Sequence, residues 1–168
     1  MSRRVLVAGI GNIFQTDDAF GVEVAQRLSQ RSLPYGVRVE DFGIRGMHLA
    51  YELLEGYDGL VLVDAVPLDE PPGTLALIEP EVTESSRFDG DVGPVVDAHT
   101  KNPDVVLATL AHLGGSVEKI LIVGCQPADL QDGMGLTPAV AGAVDAAVEM
   151  CLQVVSEIVE PVGKGTYS

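Results

Sequence analysis

Val5-Leu6-Val7-Ala8-Gly9-Ile10-Gly11-Asn12-Ile13-Phe14-Gln15-Thr16-Asp17-Asp18-Ala19-Phe20-Gly21 is the stretch whose reading decides the fold. Val5 to Ala8 is a short apolar run closed by glycines, the pattern of a buried strand entering a tight turn. Thr16 stands where a helix N-cap belongs, and Gly21, Val24, Ala25 and Leu28 follow at the i, i+3, i+4, i+7 spacing of one helix face. The stretch therefore reads as a strand, a loop and a helix. In open α/β sheets, ligands lie beyond the C-terminal ends of the strands, so this loop holds the first candidates for chemistry.

Gly9-x-Gly11 suggests a dinucleotide-binding turn, but the rest of the loop argues against it. Phe14 occupies the third glycine position, and Asp17 and Asp18 would confront a pyrophosphate with two carboxylates in the first turn of the helix. A cation suits that position. For Asp17 taken alone, plain helix capping is the preferred reading, since a carboxylate near a helix N-terminus gains about 0.3–1 kcal/mol from the helix dipole.

Working outward, Val37 to Phe42 alternates as a second strand ending at Asp41-Phe42-Gly43, and Gly46 to Leu54 has helical period with Met47, Ala50, Leu53 and Leu54 on one face. Gly59 to Val63 is a continuous apolar run of the parallel-strand type, ending at Asp64-Ala65. Thr74 to Ile78 reads as an edge strand after the Pro71-Pro72-Gly73 turn. Glu79 to Ala98 has neither period and carries six acids, and loops of more than about 12–15 residues are usually functional or disordered. It is read equally as a solvated loop and as an acidic guide for a basic segment, with Phe88 as a possible anchor. Asn102-Pro103 starts a helix to about Leu113, Lys119 to Gly124 is the last strand, and Thr137-Pro138 opens a long terminal helix with Val140, Val144, Ala147, Cys151, Val154 and Ile158 as its apolar stripe.

These elements imply an α/β fold: a single three-layer domain over residues 1–168, with a mostly parallel twisted sheet of about five strands and helices on both faces. The composition fits, at 168 residues and 46% apolar, with no internal repeat or low-complexity tract. A net charge of −15 repels nucleic acid and anionic membrane surfaces, so neither is expected as a partner. No apolar stretch is read as approaching the ~20 residues that span a bilayer, and Arg3-Arg4 before the first strand is not read as an export signal. Two cysteines, Cys125 and Cys151, suit a reducing compartment, and the expected location is cytoplasmic. Cys125 and Cys151 read as buried small side chains, His112 as a complement to a helix C-terminus, and His48 as a surface residue more readily than a crevice one. No long apolar patch is evident, which points to a monomer.

Asp18 after the first strand, Asp64 after the third and His99 at the end of the long loop are predicted near the C-terminal ends of the strands or in the loops there. One imidazole and two carboxylates suit a divalent transition ion, although no compact ligand signature joins them.

Gly9-Ile-Gly11-Asn12 with Asp17-Asp18 and Gly21, Asp41-x-Gly43 with Gly46, Val63-Asp64-Ala65, His99 before Asn102-Pro103, and Gly124-Cys-Gln126-Pro127 resemble, in order and over Val5 to about Val155, the hydrogenase maturation endopeptidases. The resemblance implies a hydrolase that removes the C-terminal extension from the large-subunit precursor of a nickel-iron hydrogenase after nickel insertion. It places the metal-contacting and catalytic roles on Asp18, Asp64 and His99, with nickel supplied by the precursor and no nucleotide. Asp41-Phe42-Gly43-Ile44 departs from the Asp-Gly-Gly-Thr/Ser of many members, and Phe42 and Ile44 are expected to make the crevice wall bulkier and less polar. A non-catalytic nickel-dependent assembly factor, or metallochaperone, using the same three residues is the competing reading, and a nucleotide-binding domain is a third.

Overall fold

The computed structural model describes residues 3–44, 46–79, 115 and 117–159. His99, His112, the acidic segment after Glu79 and the helix expected at 103–113 lie outside the described residues.

Five strands form one sheet: β1 (Val5–Ile10), β2 (Val37–Gly43), β3 (Gly59–Ala65), β4 (Leu75–Ile78) and β5 (Lys119–Cys125). Their order is β2-β1-β3-β5-β4, with β4 antiparallel to β5 and the other pairs parallel. The helices are α1 (Phe20–Leu28), α2 (Gly46–Leu53), a short α3 (Pro138–Ala141) and α4 (Val144–Val159). Mostly parallel strands and an edge position for β4 match the sequence reading.

β1 and β3 are buried along their whole length because both faces of the sheet are covered. Val5 and Val7 of β1, Val61 and Val63 of β3, and Val123 and Cys125 of β5 point to the layer filled by α1 and α4. Leu6, Ala8 and Ile10, with Leu60 and Leu62, point to the other face, where Phe42, Leu49, Leu53 and Tyr57 pack. Alternation thus persists in the side-chain directions even though every position is apolar.

Two glycines set how closely α1 lies on the sheet. A Cβ on Gly9 would stand 2.3 Å from the Gly21 carbonyl oxygen and 2.7 Å from Ala25 Cβ, and one on Gly21 would stand 2.1 Å from the Val63 carbonyl oxygen. Gly9, the first of the two glycines that suggested a cofactor turn, is therefore used for helix-on-strand packing.

Several expectations change. Thr16 is not a helix N-cap: it has φ 52°, opens a single 3₁₀ turn (Thr16–Ala19), and donates its hydroxyl to the Gln131 carbonyl at 2.6 Å. The α-helix starts only at Phe20. Phe42 does not line the crevice, because it turns into the α2-side core at 3% exposure; only Ile44 is exposed. The terminal helix is interrupted at Gly142–Ala143, and Thr137 turns its side chain away from the helix it precedes. Pro138–Val159 as a whole is long and apolar enough to cross a membrane, with mean hydropathy 1.5, contrary to the reading that no stretch approaches that length. Its stripe (Val140, Val144, Ala147, Val148, Cys151, Val154, Val155 and Ile158) is spent on the core, while Asp145 pairs with Arg27 of α1 and Glu149 with Arg31 just beyond the end of α1, each at 3.0 Å. The apolar length belongs to a core helix.

Candidate functional site

The strand order reverses direction between β1 and β3: the chain passes from β1 outward to β2 and then returns to the other side of β1. The crevice beyond these two strand ends is where doubly wound folds place ligands. Asp64 sits there because β3 runs on past Val63, the partner of Gly9, so its carboxylate lies at the strand's C-terminal end with 9% exposure. It accepts the Ala65 amide at 2.8 Å.

Asp18 reaches the same end by a different route. Gly11, at φ 145°, lets the 3₁₀ turn fold back onto β1, and a Cβ there would fall 1.8 Å from the Asp18 carbonyl oxygen. The Asp18 carboxylate, 5% exposed, accepts the Asn12 amide at 2.8 Å. Asn12 in turn accepts the Phe14 amide at 2.9 Å, which closes the loop on itself. Two buried carboxylates, one on the 3₁₀ turn after β1 and one at the end of β3, are thus both held by main-chain amides, a rigid arrangement of hard oxygen donors.

Asp17 has a quite different environment. Fully buried, it accepts the Thr137 amide at 2.7 Å and the Thr137 hydroxyl at 2.9 and 3.0 Å, the Ala128 amide at 2.8 Å and the Asp129 amide at 3.0 Å. Burial by itself raises its pKa, and the bonds from Thr137, Ala128 and Asp129 outweigh it, so the carboxyl titrates below its ordinary value. Asp17 is the clasp between the β1–α1 loop and the segment from Gln126 to Thr137. Main-chain bonds extend the clasp: Thr16 and Gly133 exchange one, Gly133 and Phe14 another, and the Asp17 amide reaches the Asp129 carbonyl.

Gln126, directly after β5, does a similar job on the other side. Its side-chain carbonyl accepts the Leu68 and Glu70 amides, and its backbone pairs with Gly73 and Thr74, so the connection from β3 to β4 is anchored at the same end of the sheet.

Cys125 is fully buried, and burial pushes its thiol up to about 11, with the Asp17 charge adding to the effect. A thiol so far from thiolate at neutral pH is not a nucleophile. Asp41 is half-buried in β2 opposite Gly9, and His48 is exposed. Among the described residues no three His, Cys, Asp or Glu side chains gather as a metal site. Of the expected set, Asp18 and Asp64 are described and would offer two carboxylate donors, and His99 lies outside the described residues. At the opposite end of the sheet an open recess of about 670 Å³ is lined by Arg3, Arg4, Tyr35, Arg38 and Tyr57. Two of its cations are already committed: Arg4 donates to the Glu55 and Gly56 carbonyls and lies over the Tyr57 ring, and Arg38 pairs with Glu40 and Glu52.

The sequence pattern of the hydrogenase maturation proteases, HycI, matches residues 22–154. The chain belongs to that family. The Hydrogenase 2 maturation protease of Escherichia coli is 34% identical over 156 residues, covering 92% of each chain. The hydrogenase expression/formation protein HupD of Rhodobacter capsulatus is 36% identical over 147 residues, 86% of this chain and 68% of that one. Among solved structures, the hydrogenase maturating endopeptidase HybD from E. coli superposes with TM-score 0.73 at 32% identity, covering 92% of this chain and 93% of that one. As a member of the hydrogenase maturation proteases this chain is a peptidase, which replaces the non-catalytic assembly factor and nucleotide-binding readings.

Within the family's fold, the residues that sequence reasoning under-valued are Asp17, Thr137 and Gln126. Asp17 and Thr137 are 120 positions apart, and no local spacing links them. The available signal was the position of Gln126 at a strand C-terminus and of Asp17 beside Asp18.

Proposed function

We propose that this protease removes the C-terminal extension of a nickel-iron hydrogenase large-subunit precursor once nickel is in place. On this reading Asp18, Asp64 and His99 engage the nickel held by the precursor. The observation that carries it is the pair of buried carboxylates, Asp18 on the 3₁₀ turn after β1 and Asp64 at the end of β3, at the point where the sheet order reverses. Family membership supports the reaction class, and the names of the relatives support the hydrogenase context. Nickel enters as part of the substrate.

The chain's own contribution is preorganisation. The amides of Asn12 and Ala65 orient the two carboxylates before substrate arrives, so little side-chain freedom is lost on binding. A metal bound between these acids and the precursor would either polarise the scissile carbonyl or water, or serve as the docking point that reports complete loading.

The test is mass spectrometry of the matched precursor, loaded with nickel or free of it, after incubation with the protein. Loss of a discrete C-terminal peptide from the loaded form alone is the expected result. Loss from both forms removes nickel recognition from the proposal and leaves the protease. A precursor that stays intact in both forms overturns the assigned substrate. Asp18→Asn or Asp64→Asn should abolish cleavage while leaving the fold in place, and wild-type rates in either variant would remove that acid from the site.

A further inference from the structure

We propose that Ile13, Phe14, Leu130 and Met134 form an apolar shelf at the lip of the Asp18 crevice that receives apolar side chains of the precursor next to the bond that is cut. This rests on the processing activity proposed above. The four side chains are 40%, 59%, 45% and 72% exposed. Single exposed apolar residues are ordinary on a protein surface. These four are different because they come from two loops bonded to each other. Gly133, next to Met134, donates its amide to the Phe14 carbonyl at 2.9 Å and accepts the Thr16 amide at 2.9 Å. Asp129, next to Leu130, accepts the Asp17 amide at 3.0 Å.

The shelf is also held in place at some cost. Asp17 buries a full carboxylate to fasten the second loop to the first, and the Thr16 hydroxyl adds a bond to Gln131. Left unfastened, four large apolar side chains on short loops would turn toward the core or move freely. Here the main chain beneath them is fixed and the side chains stay outward. Phe14 offers a rigid aromatic anchor, and Met134 an adaptable, polarizable neighbour, a combination suited to gripping an apolar partner.

The occupant follows from continuity. The family's substrate is a polypeptide, and the Asn12 amide that holds the Asp18 carboxylate lies one residue from Ile13 and two from Phe14. A chain laid across Asp18 therefore meets the same loop that carries Ile13 and Phe14. Neither Lys nor Arg occurs in residues 11–18 or 126–137, so the shelf offers an incoming acidic segment no ion pair and an apolar one a large contact.

The experiment measures initial cleavage rates against precursor concentration, and precursor affinity separately by surface-immobilised binding, for wild type, Met134→Ser and the double variant Phe14→Ser/Met134→Ser. Both positions are exposed, so an unchanged melting midpoint is expected and checks the fold; the single variant carries the test if the double one melts early. The expected result is at least a tenfold rise in KM and Kd for the double variant, with kcat within twofold. Unchanged KM and Kd would overturn the shelf. Wild-type protein that binds without cutting, with binding weakened in the variants, would overturn the processing activity and leave the shelf standing. Wild-type protein that does not bind precursor overturns both. Sedimentation at several concentrations completes the set: self-association of wild type, abolished in the double variant, would assign the shelf to a second copy of the chain and overturn the proposal.

Discussion

Replacing Asp17 by Asn tests the clasp most directly, because shape is kept and only charge and one acceptor are lost. Oδ1 of Asp17 accepts the Thr137 amide and Oδ2 accepts those of Ala128 and Asp129, so each oxygen faces at least one N–H. An asparagine must turn its NH₂ toward one of these groups. The better orientation puts it at the Oδ1 position, where the Thr137 hydroxyl can rotate to accept but the Thr137 amide loses its partner. One buried donor left without an acceptor costs about 1–3 kcal/mol, and the remaining bonds lose the assistance of the charge. Asp17→Asn should therefore destabilise by about 2–4 kcal/mol, which for a chain of this size lowers the melting midpoint by about 5–15 °C. The pH dependence has a definite sign. Because the folded-state pKa of Asp17 is lowered from 3.8, its contribution is complete above about pH 4 and is lost as pH falls through the folded value. The stability gap between wild type and variant should be constant near neutrality and narrow in acid, as read by urea denaturation from pH 7 downward. A variant within 0.5 kcal/mol of wild type at pH 7, the noise of an ordinary surface substitution, would refute the clasp.

Two further outcomes follow from the packing. Neither Cys125 nor Cys151 should react with iodoacetamide in the folded protein at pH 7.5, since burial lifts their thiols to about 11 and about 12 and both are fully buried; peptide mapping reads this, and rapid labelling of Cys125 would reopen it as a nucleophile. Gly9→Ala should destabilise by about 1–3 kcal/mol or more, because the added methyl meets the Gly21 carbonyl and the Ala25 side chain at impossible distances and α1 must lift from the sheet; a denaturation midpoint equal to wild type would refute that reading of the glycines.

Much of the sheet is readable in the sequence because strands buried on both faces need no alternation. Val5 to Ala8 and Gly59 to Val63 are apolar without interruption, and glycine or acid ends each run where the crevice begins. The position of Asp64 follows from such a run, and structure and sequence agree there. The β1–α1 loop was harder to read. A Thr followed by two acids and an apolar helix face is the usual pattern of a capped helix, yet in the protein the side chains of Thr16 and Asp17 bond to residues more than a hundred positions away. Tertiary partners for Thr16 and Asp17 decide the local conformation, and local pattern carries no trace of them. Phe42 fails for a related reason. Its place in a motif suggested a crevice residue, but strand alternation puts it on the face packed by Leu49 and Leu53.

Asp17 and Asp18 show why adjacent acids of one type need not share a role. Had a regular α-helix begun at Thr16, both would stand in its first turn, partly solvated, each gaining a fraction of a kcal/mol from the dipole. The 3₁₀ turn instead separates their directions, sending Asp17 into the segment 126–137 and Asp18 back toward Asn12 at the end of β1. The first acid spends its acceptor sites on Thr137, Ala128 and Asp129, and its charge is balanced by those oriented N–H groups. The second turns back to the Asn12 amide just past the end of β1, the strand that neighbours the one carrying Asp64. Holding Asp18 there depends on the turn, and the turn depends on Asp17 and Thr16 being fastened to a loop that follows β5. A substitution at Thr137, far from Asp18 in sequence, should thus disturb the carboxylate that the proposed function sets against the substrate as well as the stability of the fold.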